Sequence, residues 1–298
     1  MDKTHRKKHK INKIPKIKYK TLKCSPSSNS VDNNTCYSNK SLHILKEQWN
    51  ARHPDKMIKS NDAREIWSEL KMYLSDVCTT EQCWLKQQFI KNNLNKELLN
   101  YTFAPNAPES WKSNPNEWLN SLDILRVMKQ YEKAYNRFVF IGPTPIDFDK
   151  KKLYGECVWE ELCNFSLSKI MQRGKTKIGI IFNLDPHYKD GSHWVVLYID
   201  LNKKQIFYFD SNGDKIHRNI KRLVKRIQTQ GEQLPTPIKL KYDDNYPLEH
   251  QKRNTECGIY TMYFIIEQLR GAKSPEYFKK NVISDEEMEK FRHKYFNT

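Results

Sequence analysis

The chain has no apolar run approaching the ~18 residues that a membrane-spanning helix needs, and no apolar secretory core follows its basic start. Neither export nor membrane spanning is expected, and the chain reads as intracellular. It contains no Gly-rich phosphate loop, so nucleotide cofactors are left without a motif. Cys78 and Cys83 are spaced like a loose ligand pair, but no second Cys/His pair stands at zinc-site spacing, and Cys157 and Cys163 do not supply one. No metal and no cofactor are therefore expected. Seven cysteines, an odd number without regular spacing, argue against a disulfide framework. A reducing compartment also suits a catalytic thiol. No internal repeat is present.

Positive charge is plentiful: 52 Lys and Arg against 35 Asp and Glu give a net charge of +17 over 298 residues. It is unevenly spread. Residues 1–23 hold ten Lys or Arg against one acid, Asp2, and Ser/Asn-rich sequence follows to about Ser41. Residues 1–41 therefore read as a disordered basic arm. Three readings of it stay open: nucleic-acid contact through the basic residues 1–23, a nuclear import signal at Arg6-Lys7-Lys8-His9-Lys10, or a solvated extension.

Residues 42–110 read as a small helical domain. Asn61-Asp62 precede Ile66, Trp67, Leu70 and Tyr73, and Thr80 precedes Trp84, Gln88 and Ile90. Pro105, Pro108 and Pro115 then break the chain, and residues 111–298 form the core. Within that core an amphipathic helix is expected from about Glu117, carrying Trp118, Leu122, Leu125, Met128, Tyr131 and Tyr135. Thr176–Asn183 reads as a strand and residues 215–230 as a basic surface helix.

Cys257 carries the chemistry. It stands at the start of an apolar stretch that reads as a buried helix, with Gly271 placed to stop it. A cysteine at the first turn of a helix feels the positive end of the macrodipole and unpaired backbone N–H groups, which favour thiolate. Upstream, the runs 191–200 and 205–210 flank the polar connection Leu201-Asn202-Lys203-Lys204 and read as a β-hairpin. Pairing Asp200 with Gln205 places Asp210 opposite Val195, on the face that also carries His193. The two become diagonal neighbours within reach of a side-chain hydrogen bond. A one-residue slip would put them on opposite faces. The residues thus supply a thiol, an imidazole to deprotonate it and a carboxylate to orient the imidazole. Gln251, six residues before Cys257, offers an amide to a developing oxyanion beside the Cys257 backbone N–H.

The order His193, Asp210, Gln251, Cys257, with Trp194 after the histidine and Gly258 after the cysteine, resembles the ubiquitin-like-protein (SUMO) protease superfamily. Within it, the chain resembles the polyprotein-processing cysteine proteases of African swine fever virus and other large DNA viruses. The resemblance rests on Gly191-Ser192-His193-Trp194-Val195, Tyr208-Phe209-Asp210-Ser211 and the run Gln251 to Gly258. Residues 136–148 look like the lead-in to the protease core, and coverage runs from about Trp111 onward. The swine fever member carries Asn where this chain has Asp210, which leaves the orienting role intact.

The resemblance implies an α+β, papain-like/SUMO-protease-like core in which a central mixed sheet packs on the nucleophile helix, joined to an N-terminal helical domain. It implies a cofactor-free cysteine endopeptidase acting on Gly-Gly-Xaa sites, with Trp194 roofing a channel that admits only a Gly-Gly main chain. The implied substrates are viral structural polyproteins, cleaved at assembly sites in the host cytoplasm by an enzyme packaged in the virion. Three alternatives stand beside it: a deconjugase of a ubiquitin-like modifier, an acetyltransferase using the same triad, and a non-enzymatic nucleic-acid-binding protein.

Overall fold

The computed structural model describes residues 19–90 and 92–298. These form two compact units, one from residues up to Leu22 with Ser30–Leu99, the other from Lys23–Asn29 with Asn100–Thr298.

The first unit holds helices α1 (Asn39–Asn50), α2 (Ala63–Leu74) and α3 (Glu81–Trp84), and α4 (Asn92–Tyr101) begins in it. Ser38, Asp62 and Thr80 cap the first three with side-chain oxygens on backbone N–H groups of the first turn. Leu42, Leu45 and Trp49 of α1 and Ile66, Leu70 and Leu74 of α2 are buried. Residues 1–18 of the expected arm lie outside the described residues. Residues 19–41 differ from the expectation: Cys36 and Tyr37 are buried, and the Tyr37 hydroxyl donates to the Glu81 carbonyl at 2.8 Å. A Ser/Asn-rich composition conceals the few large side chains that anchor such a segment.

The second unit is built on a five-stranded mixed sheet ordered β1 (Phe138–Pro145), β2 (Lys177–Asn183), β3 (Trp194–Asp200), β4 (Gln205–Phe209) and β5 (Lys241–Asp244). The outer pairs β1/β2 and β4/β5 are parallel and the inner pairs antiparallel. Asp200 pairs with Gln205 and Val196 with Phe209, which is the register that the four-residue loop dictates. Alternation then sends Val196, Tyr198, Phe207 and Phe209 into one core and Val195, Leu197, Ile199, Ile206 and Tyr208 into the other.

Helices cover both faces, so the sheet strands read as continuous apolar runs. Besides the short α6 (Glu160–Cys163), α7 (Leu167–Gln172) and α8 (Arg218–Glu232) pack Leu167, Ile170, Ile220, Leu223, Val224 and Ile227 onto one side. Arg218, Lys221, Arg222 and Lys225 of α8 are exposed, as expected for a surface helix, whereas Arg226 is half-buried and pairs with Asp149. On the other side lie α5 (Ser121–Ala134) and α9 (Cys257–Arg270), with α10 (Pro275–Lys280) and α11 (Asp285–Tyr295) behind. Every residue of α9 from Cys257 to Leu269 is buried, as an all-round apolar helix requires. Gly271, at φ +66°, ends it in the left-handed region. The α5 helix starts at Ser121 rather than Glu117, because Asn120 and Asp123 form a reciprocal capping box. Trp118 and Leu119 precede it, the buried stripe is Ile124, Val127 and Met128, and Leu122 is exposed.

Candidate active site

The site lies wholly within the second unit. His193 immediately precedes β3 and Asp210 immediately follows β4, so the paired strands deliver both side chains to one end of the hairpin. The His193 Nε2 donates to Asp210 Oδ1 at 2.6 Å. Cys257 also acts on the His193 ring, and its influence favours the charged imidazole. Burial works against a charged ring, but the hydrogen bonds to Asp210 and Cys257 and the charges on those partners outweigh it and hold the imidazole up at about 10. At neutral pH the ring is therefore an imidazolium. Cys257 itself is 2% exposed at the first position of α9, as the sequence places it.

Asp210 is 0% exposed and fully engaged. Its Oδ1 also accepts from Asn212 N (2.9 Å) and its Oδ2 from the Tyr208 hydroxyl (3.3 Å). Burial, reinforced by the Asp210 charge, holds Tyr208 well above the usual phenol range, so it stays a donor. Asn245 grips the Asp210 backbone from both sides, accepting from its N–H (2.9 Å) and donating to its carbonyl (2.7 Å). The chain then turns sharply at Gly213, φ +70°, where a Cβ would meet the Leu248 carbonyl carbon at 2.6 Å.

Gln251 sits beside this turn. Its Oε1 accepts from Ser211 Oγ at 2.8 Å and its backbone N–H donates to the Ser211 carbonyl at 2.9 Å. With the amide oxygen occupied, the donor end of the side chain remains available to an oxyanion. Trp194 is 8% exposed and its indole N–H donates to the Leu119 carbonyl at 3.0 Å. A cleft of about 490 Å³ runs along Trp118, Leu119, Asn183, Gly191 and Trp194; neither His193 nor Cys257 lines it. Among the described residues no group of three or more His, Cys, Asp and Glu is placed to hold a metal ion. Nor among them is any helix long and apolar enough to cross a membrane.

Sequence reasoning missed several supporting residues. Asn183 Oδ1 accepts from Asp185 N (2.9 Å) and Ser192 N (3.1 Å), fixing the loop that leads into His193. Gly191, at φ +106°, passes so close that a Cβ would lie 2.7 Å from Asn183 Nδ2. Ser211 adjoins Asp210 and was within reach of a reading of the turn; Asn245 is brought in by β5 and left no local signal. The disulfide expectation is corrected. Cys78–Cys83 and Cys157–Cys163 are bonded, with Cα atoms 5.5 and 6.2 Å apart. Irregular spacing along the chain does not prevent pairing when two cysteines flank a single turn. Cys257 is the free cysteine.

Residues 174–298 match the Ulp1 protease family, C-terminal catalytic domain. Along most of its length the chain is 29% identical to a putative thiol protease of Acanthamoeba polyphaga mimivirus, covering 92% of each chain. It is 26% identical to an African swine fever virus protein named SUMO-1 cysteine protease, over 80% of this chain and 90% of that one. The crystal structure of the African swine fever virus protease superposes with a TM-score of 0.62 at 20% identity, over 92% of this chain and 97% of the other, a likeness of fold. Residues 174–298 thus carry an Ulp1-like protease domain, on a chain that is similar along most of its length to viral thiol proteases.

Proposed function

We propose that the chain is a cysteine endopeptidase that cleaves Gly-Gly-Xaa sites and processes viral structural polyproteins during particle assembly. The observation that carries this reading is the 2.6 Å hydrogen bond from His193 to Asp210, on a ring whose charged form Cys257 also favours. In the proposed cycle the Cys257 thiolate, paired with the His193 imidazolium, attacks the glycyl carbonyl carbon. The oxyanion takes hydrogen bonds from the Gln251 amide and the Cys257 backbone N–H. The C–N bond breaks as His193 passes its proton to the leaving amine, and a water, deprotonated by His193, then hydrolyses the thioester. Asp210 orients the ring throughout. Leu119 and Trp194, which line the cleft, also pack on Gly258, where a Cβ would meet them at 3.1 and 3.4 Å.

Work at an assembly site in the host cytoplasm, packaging in the virion and nucleic-acid contact through residues 1–23 belong to the same proposal. They are supported by the viral relatives and by the basic start. A second reading, removal of a SUMO-like modifier, is favoured by the matched Ulp1 domain and by a relative named SUMO-1 cysteine protease. The test compares a short Gly-Gly-Xaa peptide with a SUMO-like conjugate at matched enzyme concentration. Similar kcat/KM on both supports polyprotein processing, whereas strong preference for the folded conjugate supports deconjugation. Labelling by a Gly-Gly electrophile anywhere but Cys257 overturns both.

A further inference from the structure

A guanidinium that is 1% exposed stands behind the nucleophile. Arg292 of α11 forks onto the Glu256 carboxylate, Nε to Oε2 at 3.1 Å and Nη2 to Oε1 at 2.8 Å. Nη2 also reaches the Thr255 carbonyl (3.3 Å), Nη1 donates to the Glu117 carbonyl (2.7 Å), and the guanidinium carbon lies 4.6 Å from the Trp111 ring centroid. Glu256 is 0% exposed and is the residue directly before Cys257. Glu117 is directly before Trp118 and Leu119, and the Leu119 carbonyl takes the Trp194 indole N–H. One cation therefore bonds both to the segment that presents the thiol and to the segment that walls the cleft.

The two segments have no slack between them, since a Cβ on Gly258 would already lie 3.1 Å from Leu119 Cβ. At the other end of the same helix Asp285 Oδ2 accepts from Lys252 N (3.0 Å) and Arg253 N (2.9 Å), pinning the stretch between Gln251 and Cys257. Stability alone is a poor reason for such an arrangement, because buried ion pairs are often matched or bettered by apolar residues of the same volume.

We propose that Arg292 is a positioning residue, which keeps the Cys257 segment in register with the cleft wall and cancels the Glu256 charge that would otherwise oppose the thiolate. The inference rests on Cys257 being the nucleophile. The fork is essential to it: Lys carries the charge but presents no planar array of donors that could reach Glu256 and the Glu117 carbonyl together.

The experiment uses the full chain with Arg292→Lys, Arg292→Gln and the double variant Glu256→Gln/Arg292→Gln. Thermal unfolding, the rate of Cys257 alkylation by iodoacetamide, and kcat and KM on a Gly-Gly-Xaa peptide are measured for each. Arg292→Gln leaves a buried carboxylate uncompensated beside the thiol, and alkylation should slow by at least about tenfold. The double variant removes that charge, so alkylation should recover to within a few fold while kcat/KM stays low, because the Glu117 tether is still missing. Arg292→Lys should alkylate near the wild-type rate and lose kcat more than it gains in KM. Wild-type alkylation and wild-type kcat/KM in folded Arg292→Gln overturn the proposal. So does a loss in every variant that merely follows the folded fraction. Should Arg292→Gln not fold, the other two variants decide: a double variant with normal kcat/KM, or Arg292→Lys with unaltered kcat, overturns it. Failure of the nucleophile assignment is seen separately, as cleavage by Cys257→Ala.

Discussion

Replacing Asp210 by Asn or by Ala separates charge from orientation. The carboxylate supports His193 through one 2.6 Å hydrogen bond from a fully buried position. A hydrogen bond to a charged group contributes about 1.5–3 kcal/mol net, against about 0.5–1.5 for a neutral one. In Asp210→Asn the side-chain oxygen can still accept from His193 Nε2 and Asn212 N, and the Tyr208 hydroxyl can rotate to accept from the new amide. The expected loss is the difference between the two kinds of bond, near 1.4 kcal/mol or about tenfold in kcat/KM. Asp210→Ala deletes the bond and also leaves Asn212 N and the Tyr208 hydroxyl unpaired, so about 10²–10³-fold is expected. The pH profile adds a second readout. His193, held up at about 10, keeps its charge through neutral pH and loses it as pH rises through that value. Without the carboxylate charge the alkaline limb should move down toward the ordinary histidine range. Peptide turnover between pH 5 and 11 measures both. Equal and complete loss in folded Asn and Ala variants, or an alkaline limb that does not move, refutes the reasoning.

Cys257→Ala and Cys257→Ser should abolish peptide cleavage with the fold intact by circular dichroism. Cys78→Ser should keep most activity while lowering stability by about 2 kcal/mol in denaturant unfolding, the entropy of one small closed loop. Gly258→Ala pushes a methyl group against Leu119 and Trp194, and misplacing the cleft wall by a few tenths of an ångström should reduce kcat/KM by about tenfold or more with little change in melting temperature. Removing residues 1–18 should leave turnover of a small peptide unchanged and flatten the salt dependence of any nucleic-acid binding, as fewer phosphates are neutralised. Lost turnover in that truncated protein, still folded, would assign the segment to the active site.

Much of the site was legible because it is built from local rules. A four-residue connection between two alternating runs fixes the β3/β4 register, and register alone carries His193 to Asp210. An apolar stretch opened by Cys257 and closed by a left-handed glycine announces its own helix. The supporting residues follow no such rule. Arg292 and Asp285 meet the Cys257 segment only after α11 folds back on α9, and a charged residue in an amphipathic stretch reads as solvated until that packing is known. The start of α5 was misplaced because hydrophobic spacing favoured Trp118, whereas the Asn120–Asp123 box decides where the helix begins. Residues 19–41 were misread for a related reason: two or three buried anchors outweigh a polar composition, and composition does not say which residues they are.

The placement of the two α11 anchors has a consequence for the order in which this enzyme comes into being. During synthesis the hairpin and Cys257 leave the ribosome before Asp285 and Arg292 do. Until those later residues dock, the stretch from Gln251 to Cys257 has neither its backbone acceptor nor the counter-charge to Glu256. A nascent chain therefore carries every reacting group yet lacks the scaffold that aligns them, and a translation product stopped short of α11 would be a protease in composition only.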